Sequence, residues 1–386
     1  MLLGADCAED HPLMMAYTKQ LTKEMEEMEE TQLKTERGHV VSFKFELVPA
    51  DQKWVAVMSG ELNNAATYFS SFADVSQDTK NTMDGSIGKL GGTWQPWNYK
   101  RRLEMVKKVD KFKKTLKDPH GKQRCKVTAF IAGNKSRQEF CPPLGKYVDS
   151  FKAEPLHCTN NAWQHWFTIA LAIAMQFTCE NALKSAKSLS DLPSLSALSK
   201  FMACVKSAVK CGRLFKNFSR WFAEKRKSGV NYSFRFTGLE SKKFSWNFCF
   251  LIEALLSIDG ISEQIKVKIH ALAFVALQLR DATAIYSRVS IVADLIDSLD
   301  VKCKQYFNAN CLFFGVNPSV WTIGYAIPYH TRKLFESTGY GLGLNTMQGR
   351  EAKHIKLAKY IHNTCNVKKD QRWWVVFRMS LFHWFG

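Results

Sequence analysis

Apolar residues recur at three- and four-residue spacing through most of the central part of this chain, the pattern of helices that turn one face into a core. From about Pro155 to Tyr306 it predicts helices over Trp163 to Cys179, Leu195 to Lys210, Ser245 to Ser257, Glu263 to Leu279 and Ala282 to Phe307, a helical block of about 150 residues. The run from Trp166 to Phe177 is the most apolar. It falls short of the roughly 20 residues that a bilayer span needs, so it reads as a buried helix and no membrane partner is expected.

Elsewhere the period changes. Pro12 to Arg37 sets Met14, Leu21, Met25 and Met28 among Glu24, Glu26, Glu27, Glu29 and Glu30, which predicts an acidic amphipathic helix ended by Gly38. Residues 12–37 are thus a candidate coiled-coil surface for a second copy or another chain. Val40 to Val48 alternates like a half-buried strand, Pro49-Ala-Asp-Gln forms a turn, and Trp54 to Met58 reads as the partner strand. Glu61 to Phe72 predicts a helix with Leu62, Phe69 and Phe72 inward. Residues 74–92 read as a loop, Tyr99 to Leu116 as a basic helix, and a last helix begins near Arg350. The expected fold class is α/β plus mainly α, in four parts: an acidic helix over 1–38, a partial α/β region over 39–150, a helical domain over 151–335 and a basic C-terminal helix over 336–386. No internal repeat stands out.

Composition adds a partner class. With 46% hydrophobic and 13% aromatic residues the 386-residue chain can bury a large core, and its formal charge of +19 puts nucleic acid first among partners. The cations gather in two stretches, Lys100 to Lys117 and Lys206 to Lys227; the plain alternative is solvated helix faces. Eleven cysteines lack paired spacing and Met1-Leu-Leu-Gly-Ala-Asp carries no apolar signal run, so an intracellular, reducing compartment is expected.

Three segments carry candidate chemistry. Gly339-Tyr-Gly-Leu-Gly leads through Gly349 into Arg350, Glu351, Lys353, Lys356 and Lys359: a carboxylate suited to a divalent cation beside lysines suited to phosphate, or a first-turn acid favoured by the helix dipole. Glu154, Pro155 and His157 open a helix, where acid and imidazole can meet across the first turn or simply cap it. Arg235-Phe-Thr-Gly-Leu-Glu-Ser-Lys242-Lys243 offers a glycine turn and paired lysines at a helix start, a possible phosphate seat. No CxxC, HxxxH, Gly-x-Ser-x-Gly, Walker or Rossmann pattern occurs, and no structural zinc is expected.

In their order these segments resemble the catalytic core of the recombination-activating recombinase of V(D)J joining and the Transib-type transposases. Val41-Ser-Phe-Lys-Phe and Trp54-Val-Ala-Val-Met look like sheet strands of that family. Leu156-His-Cys with Asn161-Ala resembles its Leu-His-Cys segment, Arg235 to Phe244 its Arg-x-x-Gly motif, and Tyr329-His330 followed by Gly349-Arg-Glu351 its histidine segment and catalytic glutamate. The resemblance implies a partial RNase H-like sheet interrupted by a helical insertion. It also implies an Asp-Asp-Glu triad holding Mg or Mn for DNA strand cleavage and transfer, and a nuclear setting.

On that reading Glu351 is the third acid and the metal ligand, His157 with Glu154 the auxiliary group, and Lys242, Lys243, Arg235, Arg350, Lys353 and Lys356 the DNA contacts. The first acid has only Asp6, or Asp10, to match it. The second falls in the loop with Asp74, Asp78 and Asp84, and the family's CxxC is absent. The expectation is a transposase-derived DNA-binding protein with impaired catalysis, needing Mg or Mn only if active. The competing expectation is a non-enzymatic helical scaffold.

Overall fold

A computed structural model describes residues 11–364, 366–368, 371–372 and 374–376, and the chain divides into two compact units, Met1–Asn345 and Thr346–Gly386. The first unit opens with α1 (Pro12–Glu30), a two-residue hairpin of β1 (Leu33–Lys34) and β2 (Val40–Val41), and α2 (Gln52–Met58). After a long irregular stretch come α3 (Tyr99–Lys113), α4 (Arg124–Gly133), α5 (Pro155–Gln176), α6 (Glu180–Ser185), α7 (Ala197–Ser207) and α8 (Gly212–Glu224). Then follow α9 (Gly238–Leu256), α10 (Glu263–Tyr286), α11 (Ala293–Phe313), α12 (Pro318–Trp321), a π-helical turn (Thr322–Ala326) and α13 (Ile327–Thr338). The second unit carries α14 (Gln348–Asn363). The fold is dominated by helix. Among the described residues the one sheet has two strands, with Leu33 opposite Val41 and Lys34 opposite Val40.

The main core lies where α5, α7, α9, α10 and α11 pack together. Trp163, Trp166, Phe167, Phe201 and Phe244 are fully buried there, and Phe167 meets Phe244 edge-on at 5.6 Å, a favoured aromatic geometry. The buried Trp166 indole N–H finds the Leu272 carbonyl at 2.9 Å, which ties α5 to α10. A second core takes the apolar face of α1: Met14, Met15, Leu21 and Met25 pack with Phe45, Val55, Met58, Leu144, Tyr147 and Phe151. That face, expected to recruit a coiled-coil partner, is largely covered inside the same chain, and the helix ends at Glu30 rather than near Arg37.

The expected sheet over Val40–Met58 is not formed. The Asp51 carboxylate accepts the Lys53 and Trp54 amides at 2.8 and 2.9 Å, an N-cap, so Trp54 to Met58 winds into α2 with Val55 and Met58 inward. A five-residue apolar run has no period of its own and reads equally as strand or helix. Nor do residues 61–72 form the expected helix. Their carbonyls are taken by arginines: Arg137 donates to Phe69 and, at 2.6 Å, to Leu62, while Arg102 donates to the Ser71 carbonyl at 2.8 Å.

Both guanidiniums flank the fully buried Glu61 carboxylate. Arg137 Nε lies 2.9 Å from it, too oblique for a hydrogen bond, while Arg102 also reaches Gln138 at 2.7 Å. Burial pulls the Arg137 pKa down, opposed by Glu61. Two arginines around one carboxylate leave a net cation inside, which is tolerated because carbonyl oxygens complete its shell.

The loop expected over 74–92 is present and tightly held. The Asp74 carboxylate accepts the Gln95 amide at 2.6 Å and pairs with Arg101 at 3.2 Å. Trp94 packs edge-on against Trp321 and Tyr325 at 5.4 and 4.8 Å, and the Tyr325 hydroxyl donates to the Thr82 carbonyl at 2.9 Å.

Removing the carboxylate from Glu61 leaves two buried guanidiniums facing each other. Glu61→Ala is expected to lower unfolding free energy by about 3–5 kcal/mol, read from the midpoint of a urea melt followed by tryptophan fluorescence.

Candidate nucleic-acid interface

The basic stretch from Lys206 onward folds into a corner made by α7, α8 and the start of α9. Helix α8 is not among the elements the sequence predicts, yet its residues carry a helical pattern. Leu214, Phe218 and Phe222 face the core, while Arg213, Lys216 and Arg220 fall on the opposite face, as three- and four-residue spacing requires. Cations sit over the aromatic rings at its margins, with Lys206 at 5.2 Å from Phe215 and Arg226 at 4.1 Å from Phe222.

Arg213 holds the corner together. Its Nε donates to the nearly buried Glu240 carboxylate at 2.7 Å, a second nitrogen donates to the Arg235 carbonyl at 2.9 Å, and the guanidinium stacks on Phe234 at 4.4 Å. The hydrogen bonds to Glu240 raise the Arg213 pKa. Glu240 also completes a capping box: its carboxylate accepts the Thr237 amide at 2.8 Å while Thr237 Oγ1 accepts the Glu240 amide at 3.4 Å. The phosphate seat expected at this helix start is therefore occupied by the protein's own carboxylate.

The two lysines of the motif part ways. Lys243 donates to the Lys210 carbonyl at 2.5 Å and so closes the turn after α7. Lys242 and Arg235 point to solvent.

What remains outside is strongly one-signed. From Lys206 to Lys243 the chain holds eleven cations and two carboxylates, Glu224 and Glu240. Glu240 is buried, whereas Lys206, Lys210, Lys216, Arg220, Lys225, Lys227, Arg235 and Lys242 are exposed. Among the described residues none of these eight makes an ion pair. A second basic face lies on α3 and its C-cap, where Lys100, Lys107, Lys111 and the capping Lys114 are exposed on one side and Lys113 turns inward to Glu139 at 2.9 Å.

The start of α5 is a cap. The Glu154 carboxylate accepts the Leu156 and His157 amides at 2.9 and 2.7 Å, and His157 Nδ1 lies 2.6 Å from it. Behind it, buried His330 accepts the Ala153 amide through Nδ1 at 2.9 Å. That bond places its ring proton on Nε2. The Asn345 amide nitrogen reaches the Lys152 and Ala153 carbonyls at 3.3 and 3.2 Å. Burial, with Lys152 adding to it, holds the His330 pKa well below the ordinary imidazole value.

The glycines before α14 serve close backbone approach. The Gly341 and Gly343 amides donate to the Val289 and Arg288 carbonyls at 2.7 and 3.0 Å, and a Cβ on Gly341 would come within 2.5 Å of the Arg288 oxygen. This docking coincides with the break between α10 and α11, which falls inside the helix expected over Ala282 to Phe307 rather than between Leu279 and Ala282.

Glu351 occupies the first turn of α14, its amide donating to the Met347 carbonyl at 2.9 Å. Arg350 and Lys356 are exposed, and Lys353 is half-buried. These belong to the second compact unit, whereas Glu154 and His157 belong to the first. Asp6 lies outside the described residues. Among the described residues no three His, Cys, Asp or Glu side chains are grouped so as to hold a metal ion, and no helix is long and apolar enough to cross a membrane. No known protein-family model matches the chain, and no curated protein matches its sequence.

Burial of neutral His330 ties stability to pH. The unfolded imidazole takes a proton below about pH 6.5 while the folded one resists it. Unfolding therefore binds protons, and stability is full above that pH and declines below it. His165, also held low by burial, acts in the same sense. His330→Gln should flatten part of the slope of unfolding free energy measured between about pH 7 and pH 5.

Proposed function

We propose that this chain is a transposase-derived protein that binds DNA through the phosphate backbone, chiefly with the corner formed by α7, α8 and the start of α9. The observation that carries this reading is the surface of eight exposed, unpaired cations where the nearest motif carboxylate, Glu240, is buried and held by Arg213. Such a surface gathers phosphates and releases the counterions condensed on them. Lys242 and Arg235 are contacts in this reading, with Lys243 positioning the turn from which Lys210 projects. Arg350, Lys353 and Lys356 form a further basic set on α14. The resemblance in motif order to a DNA-processing family supports DNA as the polyanion.

The reading assigns binding ahead of strand cleavage. Glu154 is engaged by two backbone amides and His157, and Trp54 to Met58, compared with a strand of the family's catalytic sheet, is helical. Glu351 remains the candidate third acid, and as a carboxylate it suits Mg or Mn.

If about six of these cations reach phosphates, the slope of log affinity against log salt should be near −5. Fluorescence anisotropy with a duplex of about 30 base pairs at several salt concentrations measures it, and a weak, salt-independent interaction would sink the proposal. Supercoiled plasmid incubated with the protein and Mg or Mn is expected to stay intact. Nicking that vanishes in Glu351→Gln would instead restore the two-metal cleavage reading.

A further inference from the structure

The chain turns from α7 into α8 through a residue whose backbone is in the left-handed region: Lys210 has φ +57°. The Cys211 amide donates to the Val205 carbonyl at 3.0 Å, which closes the turn that follows the helix. A left-handed position is ordinarily glycine, because a Cβ there crowds the neighbouring carbonyl. Gly339 follows that preference at the end of α13 with φ +76°, whereas Lys210 shares the exception with Asp84 and Lys135. A lysine in such a place carries strain that glycine would relieve.

Nothing inside the protein accounts for the lysine. Its side chain is exposed and, among the described residues, pairs with no carboxylate. The carbonyl at this helix end already has a cation, since Lys243 Nζ donates to the Lys210 oxygen at 2.5 Å. Lys206 stands one turn back, and Arg213 follows, fixed by Glu240. The strained residue therefore sits in the middle of the basic corner.

We propose that Lys210 is a DNA-contacting residue, its ammonium projected toward a backbone phosphate from a turn that the left-handed backbone and Lys243 hold in place. The assignment rests on the DNA-binding reading above. It separates fold from function at one position, because glycine there suits the backbone better and phosphate worse.

Full-length wild type, Lys210→Gly and Lys210→Arg are compared by thermal melting and by anisotropy titration of a duplex of about 30 base pairs across a salt series. For Lys210→Gly the Tm should rise by roughly 1–2 °C, while affinity falls severalfold and the salt slope becomes shallower by about one unit. Lys210→Arg, which keeps charge and backbone strain, should retain both the wild-type Tm and the wild-type slope. A lower Tm in Lys210→Gly would mark the lysine as structural and overturn the assignment. Unchanged affinity and slope in that variant would overturn it alone, leaving the DNA reading intact. Wild type that fails to bind would overturn the DNA reading and, with it, this contact.

Discussion

The buried Glu61 carboxylate between Arg102 and Arg137 is the constraint on which the first third of the chain depends. Without regular strands or helices, the segment from Glu61 to Asn98 pairs only part of its backbone with itself, through turns and isolated bridges such as Tyr68 with Ser76 and Ala73 with Pro96. The two guanidiniums supply part of the rest by donating to the carbonyls of Leu62, Phe69 and Ser71. An arginine fork presents several fixed donors at once, so two of them can order a stretch that would otherwise leave carbonyls unpaired in the interior. Once ordered, this stretch brings Trp94 against Trp321 and Tyr325.

The same device recurs at the basic corner. Glu240 is nearly buried, caps α9 through Thr237 and takes the guanidinium of Arg213. Glu139 repeats it with Arg124 and Lys113. Carboxylates placed inside in this way brace the fold and are withdrawn from the surface, so the cations left outside there face few neighbouring acids. The charge of +19 is thus sharpened locally by burial of acids. Surface field is what steers a polyanion, and the fold concentrates it around α7, α8 and the start of α9.

Much of the helical block was legible because long amphipathic segments repeat their period often enough to be unambiguous. The helices containing Trp163, Phe201, Phe248 and Leu272 all appear, with ends displaced. Short apolar runs were not legible in this way: Trp54 to Met58 became α2 once Asp51 capped it. Helix α8 was not expected, although Leu214, Phe218 and Phe222 carry helical spacing among its cations. The break between α10 and α11, where Gly341 and Gly343 dock from about fifty residues downstream, falls inside the helix that the local pattern predicts over Ala282 to Phe307.

By itself the sequence determined the helical character of the block from Pro155 onward, the surplus of positive charge and the position of each cation along the chain, since periodicity and composition are local properties. Only the tertiary structure decided which charged groups face solvent. It turned Lys243 to the Lys210 carbonyl and left Lys242 outside, put Glu240 where a phosphate had been expected, and drew Glu154 into a helix cap. The physical reason is that a carboxylate or ammonium has the same chemistry in either place. Burial and the nearest hydrogen-bond partner, set by residues distant in sequence, determine whether it holds the fold together or meets a ligand.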